Sequence, residues 1–394
     1  MSRAVHEVLS SASTVPELTA AIARALDGTG PAVLPVAPDL GLPDPGAATT
    51  VPDEVALVVR TSGSTGTPRG VLLGAAALRA SGSATEARVG GPGRWLLALP
   101  TAHVAGLQVL VRSVLAGTSP VVLDPGPFRP EAFAAAADLL TDAPRRLTSL
   151  VPTQLHRLLG SPAGTRALAT FDAVLLGGAA ASPALVAEAR AAGVRVVTTY
   201  GMSETCGGCV YDGVPLDGVR VDLDEDGRVL LAGPVLAAGY LDRPDLDAET
   251  FTRRDGVRWL RTSDLGELVP DDAAPGGVRL RVLGRLDDVV VTGGAKVAPA
   301  AVERALHDVP GVGEVCVVGV PDPEWGQALT AVVVPRPGTA APTLADVRDA
   351  ARTLGAASAP RHLVLVDALP VRGPGKTDRQ AVMALATARL AADG

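Results

Sequence analysis

A run of glycine and hydroxyl side chains, Thr61–Gly70, is the segment of the sequence best suited to bind phosphate. It reads TSGSTGTPRG and directly follows a predicted strand, Val55–Val59. Glycine lets a backbone approach an anion closely, hydroxyl groups donate hydrogen bonds, and Arg69 adds positive charge. The run is not a Walker loop, because Pro68 stands where the second glycine would be. We predict a triphosphate-binding loop formed by Thr61, Ser62, Gly63, Ser64, Thr65, Gly66 and Arg69.

Further polar and glycine-containing segments follow along the chain. They are Tyr200–Glu204 (YGMSE), Thr262–Gly266 (TSDLG), Gly284–Asp288 (GRLDD) and Gly373–Arg379 (GPGKTDR). Together with Thr61–Gly70, and in this order, they resemble the signatures of the adenylate-forming enzymes, which include acyl-CoA synthetases, peptide-synthetase adenylation domains and luciferases. The resemblance covers Thr61–Arg379, whereas the residues before it match no motif. It implies an enzyme that uses ATP and Mg²⁺ to convert a carboxylic acid into an acyl-adenylate.

The resemblance also implies roles for single residues. Tyr200 would offer a flat face to the purine, and Ser203 would donate to the α-phosphate. Glu204 would be a catalytic carboxylate and the ligand of Mg²⁺, a cation that prefers hard oxygen ligands. Asp264 can accept two hydrogen bonds from the ribose diol. The implied ATP site is completed by Gly177, Gly178, Ala179, Thr199, Gly201, Met202 and Arg285.

Lys376 is predicted to be catalytic, together with Ser203 and Glu204. Attack of a carboxylate on the α-phosphate brings two anions together, and a fixed ammonium stabilises the charge that develops. Asp287 resembles the family hinge about which the small domain rotates to exchange Lys376 for a thiol-access tunnel. Gly293 and Gly294 resemble the loop that admits the pantetheine arm of coenzyme A, the co-substrate that the resemblance implies.

The identity of the acid is suggested by segments 97–110, 148–155 and 199–213. They look like those of o-succinylbenzoate–CoA ligases, which serve menaquinone biosynthesis. The ring carboxylate of that acid does not react and needs polar partners, because its unpaired burial would be costly. The predicted acid pocket consists of His103, Gly106, Thr153 and Gln154. A different acid, an amine or carrier-protein acceptor, and a nucleotide-binding regulator without catalysis stay open as alternatives.

The elements that must position these residues indicate an α/β fold. Strand patterns alternate with helical ones such as Arg129–Leu140 and Pro183–Ala192, which predicts parallel βαβ sheets. From about Pro215 to Leu283 short strands between Asp-Gly and Gly-Gly turns predict a small antiparallel unit. We predict a large N-terminal domain over 1–284, a hinge at 285–288, and a small mobile α+β C-terminal domain over 289–394.

Composition limits the remaining possibilities. The chain has 394 residues, 47% of them hydrophobic, with a formal net charge of −7 and no basic cluster. This argues against nucleic-acid partners and against membrane insertion, so we expect small-molecule substrates and leave a homodimer open. The start of the chain lacks the pattern of a signal peptide, and three cysteines cannot build a disulfide framework. We therefore expect a cytoplasmic protein.

Overall fold

The computed structural model describes residues 2–37, 49–62, 68–140, 142–274, 276–372 and 376–393. The helices of these residues are α1 (Val15–Leu26), α2 (Ala75–Val89), α3 (Val104–Leu115), α4 (Pro130–Asp138), α5 (Pro152–Leu159), α6 (Pro162–Leu168), α7 (Pro183–Ala191), α8 (Pro244–Thr250), α9 (Pro299–Leu306), α10 (Leu344–Ala351) and α11 (Arg379–Asp393). Helices α4 to α9 all begin with proline, whose fixed φ suits the first helical position and whose missing N–H is not needed there.

Strands make up the layers on which the helices pack. In the first half of the chain they are β1 (Ser2–Leu9), β2 (Ala32–Val36), β3 (Thr50–Pro52), β4 (Val55–Ser62), β5 (Pro68–Gly74), β6 (Arg94–Leu97), β7 (Val121–Val122), β8 (Arg146–Leu150), β9 (Ala173–Leu176), β10 (Val196–Met202), β11 (Gly207–Tyr211) and β12 (Val214–Pro215). In the second half they are β13 (Arg220–Leu223), β14 (Arg228–Ala232), β15 (Gly239–Tyr240), β16 (Phe251–Arg254), β17 (Val257–Pro270), β18 (Val278–Arg285), β19 (Val290–Thr292), β20 (Ala295–Val297), β21 (Val312–Asp322), β22 (Gly326–Pro335), β23 (His362–Leu365), β24 (Val371–Arg372) and β25 (Lys376–Thr377).

Two large sheets carry the first part of the chain. One has the order β15-β5-β4-β2-β1-β3, and the other has the order β12-β11-β10-β9-β8-β6-β7. In the second sheet the five strands from β10 to β7 are all parallel, β11 is antiparallel to β10, and β12 is antiparallel to β11. The predicted parallel βαβ sheets are therefore confirmed. The third sheet, β13 to β18 without β15, is antiparallel throughout, as the turn-rich sequence predicted.

The N-terminal residues, which match no motif, form part of the first large sheet. Strand β1 pairs in parallel with β2, and α1 buries Leu18 and Ile22 completely. Val33 of β2 then pairs in parallel with Leu57 of β4, the strand that leads into the phosphate-loop motif. This segment therefore supports the base of the predicted nucleotide site.

The last part of the chain has its own sheet and its own buried side chains. Antiparallel strands β21 and β22, with β23 parallel to β22, are covered by α9, α10 and α11. Among the described residues, the buried apolar clusters on either side of 285–288 are separate: one set ends at Leu280 and the other begins at Val290. The predicted α+β unit is confirmed, whereas its mobility and the exact boundaries stay predictions.

Candidate active site

A tyrosine and an arginine bracket the carboxylate predicted to bind ribose. The hydroxyl of Tyr200, on β10, donates to Oδ2 of Asp264, on β17, at 2.7 Å. Arg285 lies directly across from Asp264 in the β17–β18 pairing, and its Nη1 is 3.9 Å from Oδ1. The hydroxyl of Thr262 accepts from the backbone N–H of Asp264 at 3.0 Å, which fixes the strand at this point. Strand register places Asp264 beside Arg285, and the side chain of Tyr200 reaches Asp264 from another sheet, so three predicted nucleotide residues lie together.

Burial dominates the electrostatics of this carboxylate. Asp264 is only 9% exposed, and burial raises its pKa, while the Tyr200 hydrogen bond and the Arg285 charge act in the opposite direction. The pKa of Tyr200 is raised above its ordinary value, first by burial and then by the neighbouring Asp264 charge. Tyr200 is therefore a neutral donor. A diol that donates to Asp264 would compensate the carboxylate for lost hydration.

Glu204 lies in a tight turn beside a second tyrosine. Residues Ser203–Thr205 form a 3₁₀ turn after β10, and Ser203 is buried. The hydroxyl of Tyr240, on β15, donates to Oε1 of Glu204 at 2.8 Å. Strand β15 pairs with β5, which begins at the end of the phosphate-loop motif. The carboxylate predicted to meet Mg²⁺ is therefore held by a residue that the sequence analysis missed.

The two ends of the predicted phosphate loop lie on adjacent strands. Thr61 and Arg69 are cross-strand partners in the antiparallel pair β4–β5, so the two ends of the motif are adjacent. Arg69 is close enough to act electrostatically on the hydroxyl of Tyr240. The predicted ligands Gly63, Ser64, Thr65 and Gly66 lie outside the described residues, as do the side chains of Ser62 and Lys376.

Glycines are required where strand ends approach each other in this site. A Cβ on Gly177, just after β9, would lie 2.2 Å from the hydroxyl oxygen of Thr199, and one on Gly201 would lie 2.1 Å from the carbonyl oxygen of Gly207. Gly178 has a φ of +79°, which favours glycine. Ala179 is exposed and Met202 half-buried. The predicted adenine edge is thus an accessible backbone segment between β9 and β10.

The predicted acid-pocket residues are divided in their roles. His103 caps the start of α3 with extended backbone, and Thr153 lies half-buried in the first turn of α5. The amide of Gln154 is committed to the main chain: Oε1 accepts from Val151 N at 3.1 Å, and Nε2 donates to Ala98 O at 2.9 Å. Gln154 therefore joins α5 to the end of β6, and this contact leaves it little capacity for a substrate.

Gly106 has a packing role that gives a test of its own. A Cβ there would lie 2.3 Å from the carbonyl oxygen of Pro100, because α3 begins against the loop after β6. We expect Gly106→Ala to lower the free energy of unfolding by about 1–3 kcal/mol, the usual cost of overpacking. Urea denaturation would measure it. Gly160→Ala is the control, since Gly160 has helical backbone and a Cβ would be 3.6 Å from its nearest neighbour. Unchanged stability combined with a raised KM for the acid would instead make Gly106 a pocket residue.

A buried arginine beneath this region was not predicted as functional. Arg112, on α3, is 3% exposed, lies 5.2 Å from the ring centre of Trp95, and donates to the hydroxyl of Tyr211 at 3.4 Å. Among the described residues its Nε has no hydrogen-bond partner and no carboxylate lies within 4 Å. Its charge does act on Glu86, whose pKa is raised by burial and lowered in part by Arg112. An incompletely paired buried cation can receive an anion.

Gln108 connects this arginine to the catalytic turn. It lies one helical turn before Arg112 and donates through Nε2 to Cys206 O, two residues after Glu204. Its Oε1 has no partner in the described part of the chain.

Cys206 and Cys209 are fully buried, free thiols, and burial raises the pKa of Cys209 to about 12. The described residues contain no group of three or more potential metal ligands among His, Cys, Asp and Glu.

The predicted hinge carries ion pairs in two directions. Asp287 accepts from Nη2 of Arg285 at 3.1 Å, whereas Asp288 is 3.3 Å from Nε of Arg379, the first residue of α11. Arg379 also donates to Glu303 at 2.8 Å and to Val317 O at 2.9 Å. Arg379 therefore connects the hinge turn to α11, the helix that begins three residues after Lys376.

In the predicted thiol loop, Gly293 packs closely against Trp325, whereas Gly294 does not. Gly293 and Gly294 form the turn between β19 and β20, with φ of +55° and +80°. The N–H of Gly293 donates to Trp325 O at 3.0 Å, and a Cβ on Gly293 would lie 2.5 Å from the Trp325 ring. Gly294 has open space around it.

Comparisons with known proteins decide the family. The sequence model of the AMP-binding enzyme family matches residues 4–241, and that of the AMP-binding enzyme C-terminal domain matches residues 301–376. The chain belongs to the AMP-binding enzyme family. This confirms the family that the sequence segments predicted. No helix of this AMP-binding enzyme, within the residues placed by the structure, has the length and apolar character needed to cross a bilayer.

Relatives of this AMP-binding enzyme share most of its length. It is 46% identical over 386 residues, 97% of each chain, to a protein of Mycobacterium tuberculosis named "Probable 2-succinylbenzoate–CoA ligase". Its structure resembles MenE from E. coli with bound OSB-AMS, with a TM-score of 0.75, 25% identity and coverage of 98% of this chain and 87% of that one. It also resembles the amide bond synthetase McbA from Marinactinospora thermotolerans, with a TM-score of 0.74, 28% identity and coverage of 97% and 80%.

Proposed function

We propose that this AMP-binding enzyme is an ATP-dependent acid–thiol ligase that activates 2-succinylbenzoate and transfers the acyl group to coenzyme A. The observation that carries the proposal is the 46% identity, over nearly the whole of both chains, to the M. tuberculosis protein. The grouping of Tyr200, Asp264 and Arg285 supports it, because these side chains suit a nucleotide.

The proposed reaction has two steps. An oxygen of the succinyl carboxylate attacks the α-phosphorus of ATP, and diphosphate leaves with the electrons of the broken P–O bond. The thiolate of coenzyme A then attacks the acyl carbonyl carbon, and AMP leaves. Asp264 and Arg285 would hold the ribose, Ser203 would donate to the α-phosphate, and Lys376 would neutralise the charge that builds on its oxygens.

The residues present fit a magnesium ion that arrives with ATP. Mg²⁺ usually keeps several waters and binds through one or two carboxylates together with substrate phosphates. Glu204 supplies one carboxylate, whose Oε1 accepts from Tyr240 and whose Oε2 has no donor among the described residues. When bound, the ion would supply positive charge to the phosphates. A dedicated cage of several carboxylates is not needed for this purpose.

Arg112 is the residue we propose for the ring carboxylate of 2-succinylbenzoate. The substrate carries a second, unreactive carboxylate, and a buried guanidinium with an unpaired Nε is a suitable partner. Gln108, with its unpaired Oε1 beside the turn after Glu204, would line the path between the two sites. His103 and Thr153 stay candidates for the mouth of the pocket.

We further propose that the chain divides into 1–284 and 289–394, joined by a hinge at 285–288 that exchanges Lys376 for the Gly293–Gly294 loop between the two steps. The separate apolar clusters on the two sides support this division. The buried free thiols of Cys206, Cys209 and Cys316 suit a reducing compartment, which supports a cytoplasmic location.

The deciding experiment is AMP release from ATP with 2-succinylbenzoate, measured with and without coenzyme A. We expect release that requires both the acid and coenzyme A, with the acyl-CoA formed in equal amount. A panel of other aryl acids, and amines in place of coenzyme A, tests the alternatives, since the similarity to McbA makes an amine acceptor worth including. Faster turnover with another acid or with an amine would overturn the assignment and leave the adenylating activity.

A further inference from the structure

The hydroxyl of Tyr240 donates a hydrogen bond to the carboxylate of Glu204. The contact is 2.8 Å from Oη to Oε1 and joins residues 36 positions apart. Tyr240 is 5% exposed, and its ring packs against Phe251 with centroids 6.1 Å apart. Packing would be satisfied equally by phenylalanine. The hydroxyl therefore needs an explanation other than the core.

The backbone around Tyr240 is fixed on three sides. Its own N–H donates to Oδ1 of Asp247 at 2.8 Å. Ala238 donates to Leu72 O, and Leu241 donates to Gly70 O, both at 2.8 Å, so the segment is paired to β5. A side chain on such a segment has little freedom, and its hydroxyl can define the orientation of a partner.

The same segment also fixes the backbone of the catalytic turn. The N–H of Ala237 donates to Glu204 O at 2.8 Å. Arg258 donates to Ala237 O at 2.7 Å and to Ala238 O at 2.9 Å, with its guanidinium 3.8 Å from the ring centre of Phe251. Main chain and side chain of Glu204 are thus both held by one short stretch, residues 237–240.

The hydrogen bond from Tyr240 makes the two oxygens of the Glu204 carboxylate inequivalent. One oxygen of Glu204 is occupied by this donor, and the other faces no described donor.

We propose that Tyr240 is a positioning residue that orients the Glu204 carboxylate, and that Mg-ATP binding depends on its hydroxyl. Free rotation of a carboxylate presents either oxygen, or both, to a cation. The Tyr240 donor selects one orientation in advance, so less order has to be gained when the nucleotide arrives. This inference rests on the proposed adenylating function of the same site, and it adds a residue that neither a motif nor a predicted role had marked.

Tyr240→Phe is the test, because it removes the hydroxyl and keeps the ring. We expect ATP binding in the presence of Mg²⁺, followed by calorimetry, to weaken about tenfold, the size expected from loss of one hydrogen bond to a charged group. ATP binding in EDTA should change by less than about twofold, because the metal-dependent contact is then absent in both proteins. The Mg²⁺ concentration for half-maximal pyrophosphate exchange should rise in parallel.

A double-mutant cycle with Glu204→Gln separates positioning from general damage. If Tyr240 acts through Glu204, Tyr240→Phe should add no further loss of Mg-ATP affinity in the Glu204→Gln background. Ser113→Ala is the control: it also removes a buried hydroxyl, one that donates to Val109 O at 2.9 Å, and should leave the Mg²⁺ requirement unchanged.

The outcomes are separable from those of the proposed function. Equal weakening with Mg²⁺ and with EDTA, or additive losses in the double variant, would show that Tyr240 is merely structural and would overturn the inference. Wild-type protein that binds Mg-ATP in a Tyr240-dependent way, yet releases no AMP with 2-succinylbenzoate, would support the inference and overturn the choice of acid.

Discussion

Lys376→Ala is expected to slow acyl-adenylate formation by about 10²–10³-fold, the scale for losing one preorganised charge stabiliser. The approach of a carboxylate to the α-phosphate concentrates negative charge, and a fixed ammonium offsets it in that step alone. Thioester formation from a supplied acyl-adenylate should therefore change far less. Pyrophosphate exchange and single-turnover thioester formation measure the two halves separately.

Arginine supplies nearly all of the cationic side chains, which makes the control for this prediction simple. The chain has two lysines, Lys296 and Lys376, among 35 lysine and arginine residues. Lys296 is exposed on β20, beside the predicted thiol loop, so Lys296→Ala should leave adenylate formation unchanged within about twofold. Lys376→Arg keeps the charge but changes a point charge into a planar fork. Equal losses in both half-reactions for Lys376→Ala would contradict the assigned role.

The second large effect concerns the acid. We expect 4-oxo-4-phenylbutanoate, which lacks only the ring carboxylate of 2-succinylbenzoate, to show a kcat/KM lower by about 10² or more. A site built to pair a buried polar group rejects the analogue that lacks it, because the site's own group is then left unpaired. Arg112, which is buried and whose Nε has no partner among the described residues, is the group that we propose for this role. Steady-state kinetics with both acids measure the discrimination.

Substitution of the arginine should then remove that discrimination. Arg112→Met should reduce kcat/KM for 2-succinylbenzoate strongly and for the analogue only weakly, so the two acids approach each other. Arg88→Met is the matched control, because Arg88 is a neighbouring half-buried arginine whose acceptors in the described part of the chain are carbonyl oxygens, including Pro215 O at 2.7 Å. It should affect both acids alike. His103→Ala, measured in the same way, shows whether the helix cap contributes. Comparable efficiency of the two acids in the wild type would exclude 2-succinylbenzoate as the specific substrate.

The sequence predicted residues with strong local signals better than those defined by packing. Asp264 and Arg285 were marked by motifs 21 positions apart, and the β17–β18 register places them side by side. Tyr240 carries no comparable signal, because its partner Glu204 lies in the turn after β10, a strand of another sheet, and only tertiary structure joins the two residues. Arg112 was marked by no motif, because the burial of a cation without an ion pair cannot be read from a sequence. Gln154 has the right chemistry for a pocket but is used by the backbone.

Local pattern likewise gave the strands but not their full extent. Strand β10 (Val196–Met202) continues beyond the apolar residues at its start, because it pairs with β11 and tolerates an irregularity between Tyr200 and Gly201. The pairing requires the close approach of Gly201 to Gly207, which no single-strand pattern records. The motif residues Tyr200 and Gly201 therefore lie on a strand, and Ser203 and Glu204 lie in the turn that follows.

The two adjacent aspartates of the predicted hinge, Asp287 and Asp288, form ion pairs that differ in exposure. The Arg285–Asp287 pair has side chains 51% and 45% exposed, so water screens it and it contributes only about 0–1 kcal/mol. Arg379 is less exposed, at 29%, and binds Asp288, Glu303 and Val317 O together. A rotation about residues 285–288 would therefore break the Arg285–Asp287 pair and leave the Arg379–Asp288 pair intact. In the proposed rotation, Asp288 and the helix α11 that follows Lys376 would turn together, and the exposed Arg285–Asp287 pair would add little to the cost of that movement.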